Sequence, residues 1–160
     1  MAYDALDIAI YLIKKSSPGT PQNITNLKLQ KILYYAQGFY HATNENNQLL
    51  FKDEIQAWVH GPVVPNVYHY FKQYNYREID PNKFKDINPN IDHYTAKFLD
   101  KIWELFKNYS GKQLEAKTHQ ECPWKKIRGD LPEYIYTSTE IPVEEISKYF
   151  KEQYLNTVTT

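Results

Sequence analysis

The stretch LKLQKILYYAQGFYHA, residues 27–42, decides the fold. Leu29, Ile32, Leu33, Ala36 and Tyr40 recur at the spacing of one helical face. Leu27, Tyr34, Tyr35 and Phe39 carry the apolar arc almost all round. A helix of that kind is central in a core or covered by a partner. The spacing predicts one long helix over residues 26–43. Gly38 costs about 1 kcal/mol relative to alanine inside a helix, so its placement predicts the close approach of another backbone. Asn44, Asn46 and Asn47 then end the run in a polar loop.

On the N-terminal side, residues 4–15 read as a helix. Asp4 is placed to cap it, Lys14 and Lys15 to sit in its last turn, and Leu6, Ala9, Ile10 and Ile13 to form its apolar stripe. Pro18, Gly19 and Pro21 break the chain. On the C-terminal side, EIQAWV (54–59) fits a short strand and an extended arm equally well. His60-Gly61-Pro62 is a turn, and Pro65 opens a helix over 65–74 whose shared face is Val67, Tyr68, Phe71 and Tyr74. Residues 75–91 read as a long exposed connection. Over 92–109, Phe98, Leu99, Ile102, Leu105, Phe106 and Tyr109 give an amphipathic helix. Ser110 to Gln113 is a capping box for a short helix ending near Thr118. Pro123 and Gly129 bracket a brief turn, residues 131–141 look extended, and a last helix starts at Pro142. The expected architecture is mainly α: a compact bundle of about six helices, with room for one short two-stranded β element. A single domain is expected over residues 1–155, with a frayed tail at 156–160.

A chain of 160 residues can bury roughly 70% of the surface its unfolded form exposes. It therefore needs no disulfide or metal to fold. The 19 basic and 19 acidic residues cancel, whereas nucleic-acid binders usually carry a basic surplus. Zero net charge gives little repulsion between copies and leans toward a partnered protein. The 15 tyrosines suit protein contact, since each pairs an apolar ring with a polar tip. An AT-rich coding sequence, which raises Tyr, Asn, Lys and Ile together, accounts for most of that excess. Cys122 is the one cysteine, which excludes an intramolecular disulfide and fits a reducing compartment. No secretory leader is expected at the N-terminus, and no stretch approaches 18 apolar residues, so the expected location is cytoplasmic.

Candidate chemistry is sparse. His119-x-x-Cys122 has half of a zinc-like spacing, but a structural site needs four ligands, so a structural or contact role for His119 is the reading preferred. Cys122 could pair with a distant histidine as a nucleophile. Its place before Pro123 and Trp124 reads instead as packing at a helix start. No phosphate-binding glycine loop is present. Lys28, Lys31, Tyr34 and Tyr35, with Lys14 and Lys15, have the mixture that contacts nucleic acid. With no net charge, a solvated helix face beside a tyrosine-rich core is preferred. Trp58 ahead of its turn suits an interface and a core equally.

Three of these segments share a resemblance. LKLQKILYYAQGFY (27–40), LLFKDEIQAWVHGPVVPNVYHYF (49–71) and YSGKQLEAKTHQECPW (109–124) resemble, in order, the SocA-like antitoxin domain called Panacea. The similarity runs over roughly residues 3 to 150. Its motif positions are Lys28, Gln30, Lys31, Tyr34, Tyr35, Gln37 and Gly38; Trp58, Gly61, Pro62, Val63 and Tyr68; and His119, Pro123 and Trp124. The resemblance implies a bacterial or prophage antitoxin that neutralises a small protein toxin encoded nearby by direct binding. A ClpXP-type protease is a further partner where such a protein acts as a proteolytic adaptor. The resemblance offers no enzymatic activity to carry onto particular residues, and no catalytic residue, cofactor or metal is expected. A phage-associated nucleic-acid-binding regulator is the alternative, although nucleic acid and membrane are not the expected partners. Leu29, Leu33 and Ala36 are expected in the core. Tyr35, Gln37, His60, Pro62, His119 and Trp124 are expected to share one polar and aromatic cluster. Trp58, Gly61, Pro62, His119 and Trp124 are expected to fix the fold around the central helix, leaving the loops at 44–50 and 75–91 to tune partner choice.

Overall fold

A polar N-cap starts the central helix: the Thr25 side chain accepts a hydrogen bond from the Lys28 amide at 3.2 Å. From there α2 (Asn26–Thr43) runs with every residue from Lys28 to Gly38 buried, as its all-round apolar arc requires. The structure, a computed structural model, describes residues 2–44 and 46–155; the tail expected at 156–160 lies outside them. The other elements are α1 (Ala5–Ile13), β1 (Gln56–Trp58), β2 (Gly61–Val63), α3 (Pro65–Phe71), α4 (His93–Phe106), α5 (Gly111–His119), α6 (Cys122–Arg128) and α7 (Val143–Phe150). Helices α1, α3, α4, α5 and α7 and strand β2 all pack on α2. The fold is mainly α with one two-stranded antiparallel sheet, in which Ala57 faces Pro62 and Trp58 faces Gly61. The 54–59 segment is thus a strand and not a free arm. Its outer edge is covered, because the Ala57 amide donates to the Thr139 carbonyl at 2.9 Å.

Several local expectations fail for identifiable reasons. Asp4 does not cap α1; it pairs with Lys52 at 3.0 Å, and Asp53 accepts from the Ala5 amide instead. The buried face of α1 is Ala5, Ile8, Ala9, Leu12 and Ile13 with Ile10, while Leu6 is only partly covered. Lys14 and Lys15 lie beyond the last turn, and Lys15 pairs with Asp100 at 2.6 Å. The segment PWKKIRG is a helix, α6, held from outside by the burial of Pro123 and Trp124. Cys122 at its start is exposed and not packed. In α4, Leu105 faces solvent and Trp103 takes the core position. The 75–91 connection buries Ile79 and Phe84, the latter in a short 3₁₀ turn at Pro81–Phe84. The capping box at Ser110 and Gln113 forms as its spacing predicts. At Gly38, α7 comes close through side chains and not backbone. A Cβ there would lie 2.6 Å from Ile146 Cγ2 and 2.8 Å from Phe150 Cδ2, so no larger residue fits without moving α7.

Candidate functional site

The motif residues of α2 are polar groups placed inside the protein, and each ties the helix to a different neighbour. Gln37 accepts from the Leu50 amide at 2.8 Å and donates to the Phe51 carbonyl at 2.7 Å, holding the loop after α2. Two turns earlier, Gln30 accepts from the Val64 amide at 2.9 Å and donates to Asn26, which donates on to the Tyr68 carbonyl. These ties satisfy backbone groups that burial would otherwise strand. Lys28 donates to the carbonyls of Pro21 and Lys107, the latter at 2.6 Å, and lies over the Trp103 ring. Lys31 donates to the Pro62 carbonyl at 3.0 Å from a site with no solvent exposure. Burial pushes the Lys28 ammonium down to about 8. It pushes Lys31 down to about 7, against the opposing pull of Glu115. The solvated face expected for these lysines is therefore absent: both heads are spent on carbonyls inside the fold. Neither can reach a nucleic-acid backbone.

Tyr34 and Tyr35 converge on one carboxylate. Glu121, 2% exposed, accepts from Tyr34 at 3.0 Å, from Tyr35 at 3.1 Å and from Tyr154, while Lys117 lies 3.7 Å away. Burial first raises all three phenols well above their ordinary value, followed by the negative charge of Glu121 for Tyr34 and Tyr35 and by the hydrogen bond to Glu121 for Tyr154. Three hydroxyls and one ammonium compensate an acid that would be costly to bury alone.

The hairpin motif sits against α5 and α6. His119 stacks on Trp124 at 4.0 Å between centroids, and the Trp124 indole donates to the Trp58 carbonyl at 2.8 Å. Burial lowers the His119 pKa, which favours the neutral ring. Gly61, at a φ of 106°, leaves room for the Lys31 side chain: a Cβ there would lie 2.8 Å from Lys31 Cε. The cluster expected from Tyr35, Gln37, His60, Pro62, His119 and Trp124 is in fact divided. Tyr35 belongs to the Glu121 group and Gln37 to the loop after α2. His60 points outward to Glu115 at 2.8 Å. That contact and Lys112 outweigh the effect of burial and keep the Glu115 carboxyl below its usual range.

Between α2, the hairpin and α3 lies a groove of about 610 Å³. Of the motif residues, Gln30, Lys31, Trp58, Val63 and Tyr68 border it. Trp58 is half-buried at its edge, with Tyr68 at 5.0 Å and Tyr136 at 5.8 Å between ring centroids. Three residues that shape this region were not singled out in the sequence: Glu115, Glu121 and Arg128. Arg128 is buried, lies over Trp124, and donates to the carbonyls of Ala57, Pro132, Glu133 and Ile135. Glu115 and Glu121 stand inside the quoted motif, and their helical spacing to Lys112 and Lys117 was the available signal.

Among the described residues, no group of three or more His, Cys, Asp or Glu side chains is placed to hold a metal ion. No helix there is long and apolar enough to cross a membrane. A family model described as antitoxin SocA-like, Panacea domain, matches residues 29–125, more than half of the chain. No curated protein matches, and no solved structure matches.

Proposed function

The chain belongs to the SocA-like antitoxin (Panacea domain) family, and from that premise we propose that it neutralises a small protein toxin, encoded beside it, by binding that toxin directly. The family match over residues 29–125 carries this reading. The disposition of side chains supports it. Polar motif groups on α2 are consumed in holding the fold, so work on a partner falls to the surface. There the protein leaves large rings exposed, among them Tyr76, Tyr134 and Tyr136. Exposed tyrosines on an ordered scaffold are the usual anchors of a protein interface. The activity is binding and not catalysis.

The test is co-expression with the product of the adjacent open reading frame. The expected result is that growth, arrested by that product alone, resumes when this chain is present and that the two proteins purify together. Growth arrest unchanged by the chain would refute the reading. Toxin half-life, measured with and without a ClpXP-type protease, separates masking from delivery for degradation.

A further inference from the structure

The groove beside the hairpin differs from the rest of the surface in charge. The chain is neutral overall, yet the ionisable side chains lining the groove are Lys31, Lys72, Lys112 and His60, together with tyrosines, and none is a carboxylate. Lys112 and His60 share the single carboxylate of Glu115, at 3.4 and 2.8 Å. Lys72 is exposed and has no acidic partner among the described residues. Lys31, beneath Gly61, has no solvent exposure and spends its head on the Pro62 carbonyl, so the groove's exposed charge comes from the other lysines. Lys72 and Lys112, set against the one Glu115 carboxylate, leave the groove net positive, which attracts negative charge and disfavours positive.

Its rim is aromatic, and the Tyr136 side of it is tied to the fold. Tyr76 is 96% exposed and Tyr136 61%, and both face the groove with Trp58. The buried Arg128 holds the backbone just before Tyr136 through Pro132, Glu133 and Ile135, the last at 2.5 Å. A rim that is already ordered keeps the entropic cost of docking low.

We propose that this groove is the toxin-docking surface, and that it takes an extended acidic segment of the toxin, carboxylates toward Lys72 and Lys112 and an apolar side chain against Trp58 and Tyr136. The proposal rests on the antitoxin reading and adds its place and chemistry. The same lysines and rings could face a nucleic-acid strand, but two exposed lysines release only about two counterions, whereas duplex DNA binding typically rests on about six to ten phosphate contacts. One or two carboxylates on a peptide match the two exposed lysines of the groove.

The experiment measures affinity for the purified adjacent-gene product by calorimetry. The variants are Lys72→Glu/Lys112→Glu and Tyr136→Ala, with Lys101→Glu on the exposed face of α4 as the control. All four positions are exposed, and thermal melts confirm that each variant folds. The double charge reversal is expected to weaken binding about tenfold or more and Tyr136→Ala about tenfold, with Lys101→Glu within about twofold. Lysines placed at the toxin's acidic segment should restore binding to the charge-reversed chain. If wild-type chain binds the toxin and the groove variants bind equally well, the groove assignment is overturned while the antitoxin reading stands. If wild-type chain binds no toxin, the antitoxin reading falls and takes the groove with it. Binding of a 25-nucleotide DNA duplex that the double reversal abolishes would show a nucleic-acid surface and overturn the proposal.

Discussion

Replacing Lys31 by methionine should flatten the dependence of stability on pH. The unfolded chain holds the Lys31 proton up to its ordinary value of 10.5, whereas the folded protein releases it at about 7. Between those values the unfolded state binds more protons, so stability rises with pH. The penalty for a buried ammonium is full below pH 7 and gone above 10.5. One pKa unit corresponds to about 1.4 kcal/mol, so raising the pH from 7 to 9 should stabilise the wild-type protein by on the order of 2 kcal/mol through this group alone. Lys28, lowered to about 8, acts in the same direction. Above pH 10 the trend reverses. Tyr34, Tyr35 and Tyr154 stay protonated in the fold while their unfolded counterparts ionise. Methionine fills similar volume without the charge, and it gives up one hydrogen bond to Pro62, worth about 1 kcal/mol at any pH. Urea unfolding at pH 7, 8 and 9 measures the difference. The wild-type unfolding free energy should climb across the series, and that of Lys31→Met should climb by about 2 kcal/mol less. Parallel curves for the two proteins would show that Lys31 is charged in the fold and would refute the argument.

Other substitutions probe the same interior. Glu121→Ala leaves the Tyr34, Tyr35 and Tyr154 hydroxyls without their shared acceptor and should cost about 3–5 kcal/mol, read from chemical denaturation. Gly38→Ala gains about 1 kcal/mol of helix propensity but drives a Cβ into Ile146 and Phe150. Overpacking costs about 1–3 kcal/mol, so a lower melting temperature is expected, and a higher one would show that α7 yields freely. Trp124→Ala removes the His119 stack and the tie to the Trp58 carbonyl and should cost about 3–5 kcal/mol. If that variant keeps wild-type stability but no longer binds toxin, the structural role assigned to Trp124 is wrong.

Much of the frame was legible because it is written in local periodicity. The bounds of α2 followed from its apolar recurrence, and the start of α5 from the spacing of Ser110 and Gln113. What was not legible depends on partners distant in sequence. Nothing near Lys28 or Lys31 announces that their ammonium groups end on the carbonyls of Lys107 and Pro62. A lysine on a helix reads as solvated until tertiary structure supplies its acceptor. In the same way α6 is too short to be stable alone and is helical because Trp124 and Arg128 are buried. The groove is not legible in the sequence because its lining comes from α2, the hairpin, α3, residues 72–76, α5 and residue 136, and no single window of sequence contains it. The loop at 44–50 and the connection at 75–91 were expected to tune partner choice; the groove draws only Asn75 and Tyr76 from them.

The central claim is that this chain works by holding a protein toxin, and calorimetric titration of the purified adjacent-gene product into the purified chain tests it most directly. The account predicts saturable binding at a fixed stoichiometry, with a Kd in the micromolar range or tighter, as expected for an interface on the order of 1,600 Å². A titration showing no binding at micromolar concentrations of two folded proteins would contradict it.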